Sequence, residues 1–268
     1  MIIIGEKINA SIPKIKKAIG ERDEKFLKRM ATEQENAGAD VIDINVGTGE
    51  GTLEDEIKDI EWLVNLVKED LNGQICIDSA NPLVLKTGLK AGGDRVGFIN
   101  SVKATKGSME SVLPLAAEYD VCVIALAMDE TGVPNEVSQR VRACEKIMMQ
   151  VKKIGISQEK IFFDPLVLPV STDASQGLVT METLRMIKKE FNPSKTILAL
   201  SNISFGLPCR TLINIAIAHM AMYFDVDALL MNPLDNRLMS AISAGKVVLG
   251  KDRHCRKYTQ AFRKGILT

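Results

Sequence analysis

Short apolar runs alternate with longer segments of helical spacing along the whole chain of 268 residues. The runs, such as residues 41–46, are rich in β-branched side chains and only a few residues long, which is typical of buried strands. The longer segments, such as residues 53–71, place apolar residues three or four positions apart, which is typical of amphipathic helices. Strands that alternate with helices in this way predict a parallel sheet of the α/β class.

The number of strand–helix units narrows the choice of fold. The predicted strands are residues 2–8, 41–46, 75–78, 96–100, 121–126, 160–164, 196–200 and 228–231. Eight strand–helix units in roughly 250 residues match the size of a (β/α)8 TIM barrel. We therefore predict an α/β fold in which residues 1–268 form a single TIM-barrel domain, with its functional site at the C-terminal ends of the strands. A doubly wound open sheet is the alternative, and the lack of a G-x-G-x-x-G motif after the first strand disfavours it.

Composition argues against several classes of partner. The chain carries 34 basic and 34 acidic residues, whereas nucleic-acid binding calls for an excess of Lys and Arg. No apolar run approaches the ~20 residues that span a bilayer, and residues 1–7 lack the features of a signal peptide. Five widely spaced cysteines and only two histidines predict free thiols in a cytoplasmic protein and no metal site. We therefore expect neither nucleic acid nor membrane as a partner.

Polar side chains end nearly every predicted strand, and we call this set the polar rim: Glu6, Asn9, Asp43, Asn45, Asp78, Asn100, Asp164, Asn202 and Asn232. Strand periodicity places many of them on one face with an apolar residue expected inside the barrel: Val41 with Asp43 and Asn45, Cys76 with Asp78, Phe98 with Asn100, Phe162 with Asp164, and Leu198 and Leu200 with Asn202. Each residue alone would fit a turn or a helix cap. Their repetition predicts a binding site.

The chemistry of the polar rim favours a neutral heterocycle. A carboxylate accepts two parallel hydrogen bonds from adjacent N–H groups, and Asn both donates and accepts. The 2-amino-4-oxo pyrimidine edge of a pterin presents such a pattern. A phosphate would call for glycines and basic groups, which the rim lacks. Magnesium at the carboxylates is a less favoured alternative.

Six segments at these strand ends carry a resemblance to a known family. They are GEKIN at residues 5–9, DINVG at 43–47, IDS at 77–79, INS at 99–101, DPLVLP at 164–169 and LSNIS at 200–204. Together, and in this order over essentially the whole chain, they resemble the pterin-binding family. Within it they are most similar to the methyltetrahydrofolate:corrinoid protein methyltransferases. Dihydropteroate synthases and the folate module of cobalamin-dependent methionine synthase are more distant members.

The resemblance implies roles for ten residues. It implies that Asp78, Asn100, Asp164 and Asn202 bind the pterin, with Asp164 on the amino-pyrimidine edge, and that Asn202 is also the catalytic residue near pterin N5. It places Glu6, Asn9, Asp43, Asn45, Ser201 and Arg210 in a supporting network, with Arg210 facing the folate tail.

The implied reaction is methyl transfer between N5 of tetrahydrofolate and the cobalt of a corrinoid, in either direction, in O-demethylation or acetyl-CoA pathway metabolism. Cobalamin is expected only on a separate corrinoid protein, because Lys257 replaces the glycine of a D-x-H-x-x-G-like segment at residues 252–257. The resemblance also implies a homodimer. The alternatives are dihydropteroate synthase-like condensation, disfavoured by the LVLP segment at residues 166–169, and a non-catalytic folate-binding subunit.

Overall fold

Eight parallel strands close into a barrel in the computed structural model, which describes residues 1–267. Each strand pairs with the next along the chain, and the eighth pairs with the first. The strands are β1 (Ile2–Asn9), β2 (Val41–Asn45), β3 (Gln74–Asp78), β4 (Val96–Lys103), β5 (Cys122–Leu126), β6 (Ile161–Asp164), β7 (Lys195–Ala199) and β8 (Ala228–Met231). The predicted (β/α)8 barrel is confirmed. Thr268, the last residue of the predicted domain, lies outside the described residues.

Helices connect successive strands on the outside of the barrel. They are α1 (Pro13–Gly20), α2 (Glu24–Asn36), α3 (Leu53–Val67), α4 (Pro82–Gly92), α5 (Lys106–Tyr119), α6 (Val137–Ile154), α7 (Gln176–Glu190), α8 (Arg210–Tyr223), α9 (Asn236–Val248) and α10 (Arg256–Arg263). Among residues 1–267, none of the helices has the length and apolar character needed to cross a membrane.

The helices that follow β2 and β3 begin at well-defined caps. Thr52 and Asp55 form a reciprocal capping box at the start of α3, which satisfies backbone N–H groups that the first helical turn leaves unpaired. Asn81 accepts a hydrogen bond from the Leu83 N–H at 2.9 Å, and Pro82 opens α4 as the sequence predicts. These caps fix the short loops that lead away from the C-terminal ends of the strands.

A small apolar cluster fills the inside of the barrel. One residue from each strand contributes to it: Ile4, Val41, Cys76, Phe98, Ile124, Phe162, Ile197 and Ala228. The rings of Phe98 and Phe162 meet edge to face with their centroids 5.0 Å apart. The barrel is therefore a packed core, and a ligand has room only above this layer, at the C-terminal mouth.

The inward faces of four strands agree with the sequence prediction, because Val41, Cys76, Phe98 and Phe162 all lie inside the barrel. The prediction for β7 is wrong. Ile197 is the inward residue there, whereas Leu198 and Leu200 pack in the outer core between barrel and helices.

The physical reason is that β7 ends at Ala199 and a 3-10 turn spans Leu200–Ser204. A period of two no longer applies once the strand has ended, so strand alternation does not determine the direction of the Asn202 side chain.

Candidate active site at the mouth of the barrel

Parallel pairing brings the polar ends of β2, β3 and β4 side by side. Asp78 is in register with Asn100 across the β3–β4 pair. The Asn45 amide nitrogen Nδ2 donates a hydrogen bond to Asp78 Oδ2 at 2.9 Å. Asn9 of β1 lies in register with Asn45 on the next strand. Four residues of the predicted polar rim are thus neighbours at the barrel mouth.

The Asp78 carboxyl lies in an unusual electrostatic environment. Burial raises its pKa to about 6, the Asn45 hydrogen bond opposes that rise, and the negative charge of Glu56 adds to it. Glu56 itself accepts a hydrogen bond from Ser79 Oγ at 2.8 Å. Asp78 therefore exchanges a proton close to neutral pH, and a ligand that donates hydrogen bonds would favour its carboxylate form.

Asp43 lies one inward position deeper than Asn45 and is almost completely buried. Burial and the negative charge of Asp78 raise the pKa of Asp43 well above its usual range, and the side chains of Cys76 and Asn100 oppose that rise. Its Oδ1 has no hydrogen-bond partner within residues 1–267. Asp43 thus supports the site from below, beside Asp78.

Asp164 ends β6 on the other side of the mouth and is 5% exposed. Its Oδ1 accepts a hydrogen bond from the Leu166 N–H at 2.8 Å. Burial raises the pKa of Asp164 to about 7, while the Leu166 N–H and the charge of Arg140 oppose the rise. A second carboxyl that titrates near neutrality therefore faces the same mouth.

The Leu200–Ser204 turn connects β7 to the rest of the site. Ser201 Oγ donates a hydrogen bond to Glu6 Oε1 at 2.5 Å, and burial raises the pKa of Glu6. Arg210 Nη2 donates to the Ser201 carbonyl at 2.6 Å, and its Nε donates to Ser204 Oγ at 3.0 Å. The Arg210 guanidinium thus braces this turn, and its contact with a folate tail remains a prediction.

Asn202 is the exposed residue of the turn. Its backbone carbonyl accepts a hydrogen bond from the Phe205 N–H at 3.2 Å, but its side chain has no protein partner within residues 1–267. Because the turn is held from both sides by Glu6 and Arg210, the free amide is presented at a fixed position. It is available to a ligand.

Four members of the polar rim accept a hydrogen bond from the backbone N–H two residues later: Asn9, Asn45, Asp164 and Asn232. Asn9 Oδ1 accepts from the Ser11 N–H at 2.9 Å, and Asn232 Oδ1 accepts from the Leu234 N–H at 3.1 Å. Through these two bonds the Asn9 and Asn232 side chains stabilise turns, which is the role that their residue type alone suggests.

Arg140 is a residue of the site that sequence reasoning missed. It is completely buried and donates hydrogen bonds to the backbone just after Asp164. The available signal was its position on the apolar stripe of α6, since it precedes Cys144, Ile147 and Val151 at helical spacing. A charged residue on such a stripe is costly and points to a buried polar structure.

A cavity of about 380 Å³ opens beside Asp78, between the loops that follow β3 and β4. Ser101 and Lys103 line it together with the first turn of α5. Its volume lies in the range of small-molecule sites. No group of three or more His, Cys, Asp or Glu side chains placed to hold a metal ion occurs in residues 1–267. The arrangement suits binding of an organic molecule rich in N–H groups.

Comparison of the sequence with known proteins agrees with this geometry. The family described as pterin binding enzyme matches residues 13–232. A methylcorrinoid:tetrahydrofolate methyltransferase from Eubacterium limosum is 36% identical over 267 residues, which cover 99% of this chain and 97% of that protein. A methionine synthase from Mycobacterium tuberculosis is 28% identical over 232 residues, which cover 82% of this chain and 19% of that protein.

Solved structures share the fold. A dihydropteroate synthase from Coxiella burnetii in complex with pteroic acid superposes with a TM-score of 0.71 at 17% identity, over 92% of each chain. A Yersinia pestis dihydropteroate synthase bound to a pterin–sulfa conjugate gives 0.70 at 15% identity, over 93% of this chain and 94% of that one. At such identities the similarity concerns the barrel and its connections.

Proposed function

The chain belongs to the family of pterin-binding enzymes, and from this premise we propose that it is a methyltransferase that moves a methyl group between N5 of tetrahydrofolate and the cobalt of a separate corrinoid protein. The Eubacterium limosum relative, which is named for this reaction, is similar over nearly the whole length of both chains. Tetrahydrofolate is the substrate bound by this chain. The corrinoid is brought by the partner.

The observation that carries the proposal is the pair of carboxyls, the partly buried Asp78 and the buried Asp164, on opposite sides of one mouth that also presents Asn100 and Asn202. A carboxylate on each side, with amides between, matches a ring that has N–H donors on one edge and mixed groups on the other. The raised pKa values of about 6 and about 7 are the cost of burying acids that have no ion-pair partner, and N–H donors of a pterin would offset it.

In the direction of folate methylation, the lone pair of pterin N5 attacks the methyl carbon of methyl-Co(III). The new N–C bond forms as the Co–C bond breaks, both electrons stay on the metal as Co(I), and N5 then loses its proton. In the opposite direction Co(I) attacks the methyl carbon and N5 leaves with the bonding pair. That departure is favoured when N5 is protonated or hydrogen-bonded.

Asn202 is the residue we assign to N5. Its amide is exposed, unpaired within the described chain and held on a braced turn, so it can direct a hydrogen bond at charge that develops on N5. Preorganised donors of this kind are worth roughly 10²–10³ in rate. Asp78, Asn100 and Asp164 bind the ring. Glu6, Asn9, Asp43, Asn45, Ser201 and Arg210 form the supporting network.

We further propose, from the family relationship, that the protein is a cytoplasmic homodimer. We expect it to bind neither nucleic acid nor a membrane surface. The reaction serves one-carbon metabolism, either O-demethylation or the acetyl-CoA pathway.

A spectrophotometric assay tests the function. Purified protein is mixed with methylcobalamin and tetrahydrofolate, and the proposal predicts loss of the methyl-Co(III) spectrum with formation of 5-methyltetrahydrofolate. Folate binding without turnover, with both methylcobalamin and a methylated corrinoid protein, would indicate a non-catalytic subunit. Condensation of a dihydropterin pyrophosphate with p-aminobenzoate would indicate a synthase. Failure to bind any folate would contradict the assignment.

A further inference from the structure

Arg140 is among the largest side chains that the chain buries completely, at 0% exposure in the first turn of α6. Removing a guanidinium from water costs several kcal/mol unless its charge is compensated. The N-terminal turn of a helix adds to this cost, because the helix dipole disfavours a cation there. Within residues 1–267 Arg140 makes no ion pair. A residue whose burial costs this much is expected to have a structural or a functional role.

The hydrogen bonds of Arg140 go to two loops at the barrel mouth and to the start of α7. Its Nη1 donates to the carbonyls of Pro165 at 2.9 Å and Leu166 at 2.8 Å. Its Nε donates to the Pro134 carbonyl at 2.8 Å, and Nη2 donates to Gln176 Oε1 at 2.8 Å. Three of these four hydrogen bonds therefore hold the loops that follow β5 and β6, and the fourth holds Gln176, the first residue of α7.

The bonds fix the backbone that holds Asp164. Leu166 has a left-handed φ of +67°, a conformation that costs a non-glycine residue about 1–3 kcal/mol and persists only when its surroundings enforce it. Thr180 Oγ1 donates a second hydrogen bond to the Leu166 carbonyl at 3.0 Å. With its carbonyl held in this way, Leu166 turns its N–H onto Asp164 Oδ1.

Arg140 is also the one cation that acts on Asp164 among the described residues. Burial raises the pKa of the Cys144 thiol on α6, and the negative charge of Asp164 adds to that rise. Other charged groups on the elements around Asp164 are partly or fully exposed, among them Arg142 and Glu145 on α6, Asp173 before α7, Glu182 and Arg185 on α7, and Lys195 at the start of β7, over the Phe162 ring. Arg140 therefore offsets part of the effect of burial on Asp164, without forming an ion pair with it.

We propose that Arg140 is a positioning residue for the pterin, because it fixes the turn of residues 164–166 and so aims the Asp164 carboxylate into the mouth. The inference rests on the proposed function for its ligand. Its charge has a second consequence. Because Arg140 opposes the rise in the pKa of Asp164, loss of the cation raises that pKa further and leaves less carboxylate at neutral pH.

Four variants separate geometry from charge. Arg140→Met removes both the hydrogen bonds and the cation, and Arg140→Lys keeps the cation but loses the planar fork. Thr180→Val removes an uncharged hydrogen bond to the same Leu166 carbonyl. Arg142→Met is the matched control, because Arg142 is an exposed arginine two positions along the same helix.

Two quantities are measured for each folded variant. The first is the dissociation constant for tetrahydrofolate across the neutral pH range, and the second is the titration midpoint of the Asp164 carboxyl carbon by NMR in the free protein. Arg140→Met is expected to weaken binding at least about tenfold. It should also move two midpoints up by about one pH unit: that of the pH dependence of binding and that of the Asp164 titration. Arg140→Lys and Thr180→Val weaken binding severalfold with the midpoint near that of the parent protein. Arg142→Met changes neither quantity.

Equal affinity and equal midpoints in Arg140→Met and Arg142→Met would overturn the proposal. If Arg140→Met does not fold, unchanged folate affinity in both Arg140→Lys and Thr180→Val would overturn it. If the parent protein binds no folate while Arg140→Met still moves the Asp164 midpoint, the proposed function fails but the hold of Arg140 on Asp164 stands.

Discussion

At the scale of single residues, the rim combines two carboxyls whose protonation changes near neutrality. Asp78 and Asp164 have pKa values of about 6 and about 7 because they are buried without ion-pair partners. Such groups cost stability in the free protein and become favourable when a ligand supplies N–H donors. Ligand binding therefore offsets the free-energy cost of burying these carboxyls. Functional sites often lower the stability of the free protein in this way.

Asp78→Asn should make the free protein more stable at alkaline pH. The pKa of Asp78 is higher in the folded chain than its ordinary value of 3.8, so its contribution to stability is full below about pH 4 and is lost as the pH rises through about 6. Asn carries no charge and avoids that loss. We expect the free energy of unfolding at pH 8 to rise by up to about 3 kcal/mol, and denaturant unfolding at pH 4 and pH 8 measures it.

Asp94→Asn is the matched control, because Asp94 is exposed on the turn before β4. It should change unfolding little at either pH. A variant Asp78→Asn that is no more stable than the parent protein at pH 8 would contradict a buried, charged Asp78.

Asn202→Ala should separate turnover from binding. The amide is assigned to charge that appears on N5 only during methyl transfer, so its loss is expected to lower kcat by about 10² while the dissociation constant for tetrahydrofolate stays within about threefold. Steady-state kinetics with methylcobalamin, together with equilibrium folate binding, tests this. Full turnover by a variant that binds folate normally would remove Asn202 from the chemistry.

At the scale of elements, the Leu200–Ser204 turn determines how the Asn202 amide, proposed to be catalytic, is presented. It is short and lies between β7 and α8, and it is held through Ser201 by Glu6 on one side and by Arg210 on the other. An exposed side chain has a defined position only if its backbone does. The turn therefore controls the chemistry although its bracing residues need not touch the substrate.

Arg210→Ala should loosen this turn. We expect kcat to fall about tenfold, because a misplacement of the order of 1 Å is costly in rate, with a smaller effect on folate affinity. Arg263→Ala, at an exposed arginine on α10, is the control. A large loss of folate affinity with unchanged kcat would instead favour contact between Arg210 and the folate tail.

Strand composition was enough to predict the barrel and most of its polar rim. Residues such as Val41 and Asp43, or Cys76 and Asp78, alternate within regular strands, so a period of two gives the inward face directly. At β7 the same rule failed because the strand gives way to a 3-10 turn after Ala199. The sequence of that turn contains neither glycine nor proline to mark the change.

Arg140 shows a second limit of the sequence. Its partners Pro134, Pro165 and Leu166 are backbone carbonyls in loops up to 26 positions away, and a carbonyl acceptor carries no residue-type signal. Only the presence of a charged residue on an apolar helical stripe can be recognised from the sequence. The dependence of Asp164 on that charge emerges only from the fold.

At the scale of the whole molecule, the barrel separates packing from chemistry. Phe98 and Phe162 close the interior below the site, so the proposed function requires folate and cobalt to meet at the C-terminal mouth. A corrinoid carried by a second protein can approach Asn202 from solvent, since that residue is exposed. The fold thus suits transfer between a bound small molecule and a visiting protein.

The proposed homodimer predicts a particle mass of twice the chain mass of 29.4 kDa. Several large apolar side chains on the outer helices are available for such a contact, among them Leu178, Tyr223 and Val248, each at least 70% exposed. Burial of such side chains stabilises association. Light scattering coupled to size-exclusion chromatography measures the mass, and a single-chain mass at micromolar concentration would contradict the dimer.

The destination of the methyl carbon tests the central claim most directly. Methylcobalamin labelled with ¹³C in its methyl group is incubated with the protein and tetrahydrofolate, and the product is followed by NMR. The account predicts a labelled methyl on N5 of the folate, formed at a rate that falls about 10²-fold in Asn202→Ala. Bound folate that stays unlabelled, with the label also retained when a methylated corrinoid protein is the donor, would contradict it.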